Sequence, residues 1–115
     1  NPEINTAPAD LMIIPMTEDL THAVSLASNM RRGGLRVLLD TEKRKFKAKL
    51  AYADKIDVPF VAFLGEDEIS AGRVTVRDMR SGEQTTASAA LILEGLREKL
   101  RAAEDIPPIL DERDW

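Results

Sequence analysis

At 115 residues the chain suits one domain and leaves no room for a second full core. Its 43% hydrophobic and 31% charged residues exclude a disordered chain, its apolar runs fall far short of the roughly 20 residues of a spanning helix, and the lack of cysteine excludes disulfides and thiolate chemistry. A net charge of −4 argues on average against nucleic acid, and with no secretory leader the expected compartment is the cytoplasm.

Residues 1–9, with two prolines and small polar side chains, read as a linker arriving from an upstream domain. Residues 11–16 (LMIIPM) form a short apolar strand. Thr17 is expected to cap a helix with Glu18 and Asp19 in its first turn, running to Arg32 with Leu20, Val24, Ala27 and Met30 on its buried stripe. Gly33-Gly34 supplies a left-handed stop. A second strand, 35–39 (LRVLL), precedes a helix over about 43–56 whose inner face is Phe46, Leu50 and Ala53, with its lysines on the other faces.

That helix sits in a segment of unusual charge. Between Arg31 and Lys55 nine basic residues face three acidic ones, a local charge of +6 that leaves −10 for the remainder. A basic helix is often only a solvated face, but this concentration on an acidic chain points to phosphate. Arg44, Lys45, Lys47 and Lys49 are the expected phosphate contacts.

Residues 59–64 (PFVAFL) are continuously apolar, as in a central strand covered on both faces, and Gly65 ends them. Residues 73–77 (RVTVR) alternate, so Val74 and Val76 face the core, and a turn at 79–82 returns the chain as a partner strand over 83–87. Ser88 caps a last amphipathic helix carrying Ala89, Ile92, Leu93, Leu96 and Leu100 on one face. Residues 103–115, with Pro107-Pro108 and Trp115, are expected as a surface tail, which leaves 10–102 for the domain proper.

Strand, helix, strand, helix, strand with short links implies right-handed crossovers, and the later hairpin adds antiparallel pairing. The expected fold is a three-layer α/β/α sandwich around a mixed five-stranded sheet. If the first strand lies between the second and third, the winding reverses there, and ligands settle at the carboxyl ends of the strands beside such a reversal. Those ends carry Met16-Thr17-Glu18 and Gly65-Glu66-Asp67-Glu68.

Catalytic machinery is missing from the pattern. His22 has no partner base or ligand set in view, no glycine-rich phosphate loop is present, and contiguous acids at 66–68 are commonly solvated, so no metal site is expected. Beside a basic helix the acids Glu66 and Glu68 suit another task. A carboxylate accepts hydrogen bonds from guanine N1–H and N2–H₂ or cytosine N4–H₂, and unstacked loop bases are where proteins read RNA. A flavodoxin or receiver type of α/β domain is disfavoured because Met16 and Thr17 stand where an acidic pocket would follow the first strand.

The run 65–72 (GEDEISAG), followed by 74–84 (VTVRDMRSGEQ), resembles a pattern of the carboxyl-terminal, anticodon-binding domain of histidyl-tRNA synthetases, and 49–55 (KLAYADK) resembles that family's segment ahead of the third strand. The similarity covers about 10–100, and its ending Ser81-Gly82-Glu83-Gln84 favours the histidyl branch over the threonyl, prolyl and glycyl ones. The resemblance implies anticodon-base contacts at Glu68 and Arg77, with a weaker match at Lys43. It implies tRNA as partner, most simply tRNA(His), and no cofactor or chemistry in this domain. ATP and Mg²⁺ belong to a separate catalytic domain of a parent enzyme, a homodimer that joins histidine to tRNA. The alternative is a stand-alone or accessory relative that binds another RNA or a protein.

Overall fold

The structure, a computed structural model, describes residues 7–104. In chain order it contains β1 (Leu11–Pro15), α1 (Thr21–Arg32), β2 (Val37–Leu39), α2 (Phe46–Lys55), β3 (Phe60–Leu64), α3 (Glu66–Ala71), β4 (Val74–Asp78), β5 (Gln84–Ala87) and α4 (Ala89–Glu104). The strands form one sheet in the order β2-β1-β3-β4-β5. β1 pairs in parallel with β2 and β3, while β3–β4 and β4–β5 are antiparallel. β1 thus lies between β2 and β3, which meets the condition for a reversal of the winding between β1 and β3.

Strand alternation divides the core into two layers. Leu11, Ile13, Phe60, Ala62, Val74 and Val76 face α1 and α4, meeting Leu26, Met30, Ile92 and Leu96. Met12, Ile14, Val61 and Phe63 face α2, meeting Ala53, Phe46 and Leu50. β1 and β3 are covered on both sides, which is why their sequences are continuously apolar. The result is the expected three-layer α/β/α sandwich. Among the described residues no helix is long and apolar enough to cross a membrane.

Several local expectations need correction. α1 starts at Thr21 with Leu20 at its N-cap and no side-chain cap from that residue, so Thr17 does not cap it. Asp19 Oδ1 accepts from the Thr21 N–H at 2.9 Å and from its hydroxyl at 2.7 Å, and these bonds, the hydroxyl's first, hold the carboxyl below its ordinary range. The buried line of α1 is Ala23, Leu26, Ala27 and Met30, whereas Val24 is exposed. Two alanines on that line let the helix approach the sheet closely, and of these Ala27 was expected while Ala23 was not. At the stop only Gly34 is left-handed, with φ 98°. Gly33 serves close approach instead: a Cβ there would stand 2.5 Å from Leu93 Cδ2 of α4.

The acids after Gly65 lie on a helix rather than a loop. α3 has Glu66, Asp67 and Glu68 in its first turn, favourable to its dipole, and Gly72 ends it with φ 67°. The expected linker is already packed at Ala7 and Ala9, which are buried, and Asp10 pairs with Arg36 at 2.9 Å. α4 continues to Glu104, two residues into the expected tail. Residues 1–6 of the linker and 105–115 of the tail, with Pro107, Pro108 and Trp115, lie outside the described residues.

Candidate nucleic-acid interface

α2 covers β1 and the neighbouring face of β3 but leaves the hairpin open. Because Val74 and Val76 face the other layer, Thr75 and Arg77 point to the α2 side. The register sets Thr75 opposite Thr86 and Arg77 opposite Gln84. These four side chains form a polar ledge on the sheet beside α2.

Glu68 closes the upper end of the ledge. Its Oε1 accepts from the Gly65 N–H at 2.8 Å, which caps α3, and its Oε2 accepts from the Thr75 hydroxyl at 3.3 Å. Thr75 Oγ1 lies 2.8 Å from Thr86 Oγ1. If Thr75 gives its proton to Glu68, Thr86 donates to Thr75, and the three form one directed chain ending on the carboxylate. A carboxylate has about four acceptor positions, so roughly two remain for a ligand. Arg77 Nη1 donates to Gln84 Oε1 at 3.4 Å, a long bond that a better acceptor can replace.

The turn below the ledge is fixed by Asp78, whose Oδ1 accepts from the N–H groups of Arg80 at 2.9 Å and Ser81 at 3.2 Å. Burial pushes the Asp78 carboxyl up, but those two N–H groups and nearby Lys99 outweigh it, and the net shift is downward.

The cations arrive from the start of α2. Phe46 in its first turn meets Phe63 edge to face, with ring centroids 4.9 Å apart, and Phe63 is the register partner of Thr75. This places residues 43–47 next to the ledge. Helix α2 begins three residues later than expected, so Lys43 and Arg44 precede it and Lys45 occupies its N-cap without a side-chain cap. The first turn also holds no acid. Free N–H groups, the positive end of the dipole and flanking lysines together favour an anion.

Lys43, Arg44, Lys45 and Lys47 are exposed, and among the described residues none forms an ion pair. The Arg44 guanidinium lies over the Tyr52 ring at 4.8 Å. Lys49 differs from the expectation. It is 7% exposed because it falls beside Ala53 on the covered side of α2, and a cation so covered is not available to a phosphate. Asp40 anchors the loop that carries the cations: its N–H donates to Ile13 C=O at 2.9 Å and its Oδ1 accepts from the Glu42 N–H at 2.9 Å.

Glu66 is exposed in the first turn of α3, two residues before Glu68 and outside the hydrogen-bonded chain. His22 is exposed on α1. Among the described residues no three His, Cys, Asp or Glu side chains assemble as a metal site. The Glu68–Thr75–Thr86 chain and the stacking of Arg44 on Tyr52 were not anticipated. Only the alternation of residues 73–77 hinted at the first.

A family model described as an anticodon binding domain matches residues 10–101. The chain is 36% identical over 112 residues to a histidine–tRNA ligase of Thermococcus kodakarensis, covering 95% of this chain and 23% of that protein. It is 39% identical over 100 residues to one of Methanosarcina acetivorans, covering 85% and 23%. A crystal structure of histidyl-tRNA synthetase from Nostoc sp. PCC 7120 superposes with a TM-score of 0.77 at 28% identity, over 82% of this chain and 23% of that one. The chain thus spans less than a quarter of the length of these relatives. With sheet order, helix layers and sequence in agreement, it belongs to the anticodon-binding domain family and is close in sequence to histidine–tRNA ligases.

Proposed function

We propose that this chain reads the anticodon loop of tRNA(His) as one part of a histidine–tRNA ligase whose remaining length supplies the chemistry. The carrying observation is the polar ledge, in which a capping but unsaturated carboxylate, Glu68, stands with Arg77 on the side of α2 that carries exposed cations lacking ion-pair partners among the described residues. Phosphate contacts position a nucleic acid and base contacts specify it, and the two halves of this surface divide along that line. Lys43, Arg44, Lys45 and Lys47 hold the backbone, with Glu68 and Arg77 on base edges and Glu66 at the margin. Activation of histidine with ATP and Mg²⁺, dimerisation and cytoplasmic residence are assigned to the parent enzyme. The test compares anticodon stem-loops of histidine, threonine and proline tRNAs at one salt concentration. Preference for the histidine loop supports the reading, and indifference among the three moves the chain to an accessory relative that binds another RNA.

Grip and reading separate by salt. Each lysine that neutralises a phosphate releases counterions, so removing one flattens the slope of log affinity against log salt by about 0.7 on a single strand. Lys45→Ala with Lys47→Ala is expected to lower the slope by about twice that and to weaken all three loops alike. Stability should stay within about 0.5 kcal/mol, as for other exposed substitutions. An unchanged slope in the folded double variant removes this face from the RNA footprint.

A further inference from the structure

β1 sends Met12 and Ile14 into the layer under α2, and Met16 continues that line two residues on. The ladder still holds it, since its N–H donates to Leu64 C=O at 2.9 Å, just past the Pro15–Leu64 pair. Yet Met12 and Ile14 are 1% and 0% exposed while Met16 is 51% exposed. The difference lies in how far α2 reaches. α2 begins at Phe46, against Phe63, and Phe63 is level with Ile14 in the parallel register. Met16 and Gly65, further along the same two strands, project past that cover.

The surroundings of Met16 are those a base needs. A Cβ on Gly65 would stand 3.0 Å from Glu68 Oε1 and 3.6 Å from Met16 Cβ, so the Glu68 carboxylate and the root of the Met16 side chain flank one residue. The cations at residues 43–47 lie at the start of α2, whose Phe46 meets Phe63 two residues before Gly65 on the β3 side. A single exposed apolar side chain is ordinary on a protein surface. This one lies at the carboxyl ends of β1 and β3, at the reversal of the winding, with the Glu68 carboxylate on the other side of Gly65. An unstacked base requires a contact for its face as well as its edge, and a polarizable sulfur against an aromatic ring is favourable.

We propose that Met16 packs against the face of the anticodon nucleobase whose edge Glu68 reads. This rests on the RNA reading above and adds the residue that holds the ring. The experiment uses the 115-residue chain with ¹³C-labelled methionine methyl groups and the histidine anticodon stem-loop as probe. The chain has four methionines, and Met12 and Met30, both 1% exposed, serve as internal references. The Met16 methyl resonance, assigned through Met16→Leu, should move upfield by ring current on binding, while the two references stay in place. Met16→Gln should weaken the histidine loop by roughly two- to tenfold, the range of sulfur–aromatic contacts. It should leave the salt slope unchanged, and Met16→Leu, which keeps volume and apolarity but not the sulfur, should bind between Met16→Gln and the parent chain. A bound loop with an unmoved Met16 methyl, or Met16→Gln binding as the parent chain does, overturns the proposal and leaves the anticodon reading standing. Failure of the parent chain to bind any stem-loop overturns both.

Discussion

Glu68→Gln is expected to weaken binding of the cognate anticodon loop by about 1–3 kcal/mol, the usual worth of a good base contact, and to cost much less on a non-cognate loop. The sign of this effect is diagnostic. Removing a negative charge beside RNA should by itself strengthen binding to every loop, because the phosphate backbone is anionic. Weakening confined to the cognate loop therefore reports a lost acceptor. The substitution is also gentle on the fold. A glutamine carbonyl can still accept from the Gly65 N–H, and its NH₂ can donate to Thr75, whose hydroxyl then donates to Thr86 with the chain reversed. Glu68→Ala removes cap and acceptor together and should cost stability of about 1 kcal/mol in addition, as lost helix caps do. Parallel titrations of the two variants, with a denaturation curve for each, separate reading from capping. Equal losses on all loops for Glu68→Gln would leave Glu68 as a cap and nothing more.

The strands were legible because their signals are repeated along the chain, whereas the place of the first strand in the sheet stood only as a condition. Residues 59–64 are apolar throughout and residues 73–77 alternate, and each pattern has one structural meaning. What escaped depended on single side chains choosing among nearby partners. Thr17, Glu18 and Asp19 are all able to cap α1, and spacing alone cannot say that Asp19 takes the Thr21 N–H. α3 was hidden by its brevity, although Gly65, three acids and Gly72 bracket it with start and stop signals. Lys49 shows the limit most clearly. Charge places it with Lys45 and Lys47, yet position on the helix decides exposure, and the line through Ala53 is the covered one. The strand positions of the ledge were legible for a related reason. Thr75, Arg77, Gln84 and Thr86 hang on regular strands, whereas Glu68 sits on the short α3 and the covering that leaves Met16 and the hairpin open follows from where α2 begins.

Phe63 couples that covering to the stability of the domain. It is 9% exposed in the layer under α2, so Phe63→Ala should cost about 3–5 kcal/mol through lost burial and the cavity left behind. Domains of this kind are stable by about 5–15 kcal/mol, and the melting temperature should fall by of order 10–20 °C. Phe46 is only half-buried, so Phe46→Ala should unfold less readily than Phe63→Ala while removing the same edge-to-face contact. In a double-mutant cycle the two rings should show a coupling of about 0.5–1.5 kcal/mol, the value typical of such pairs beyond their burial. Binding supplies the second readout. If Phe46 seated on Phe63 holds the cations beside the ledge, Phe46→Ala in the folded state should weaken every anticodon loop and flatten the salt slope, although no charge has been removed. Full affinity and an unchanged slope in a folded Phe46→Ala chain would show that Lys43, Arg44, Lys45 and Lys47 find the phosphates without this anchor.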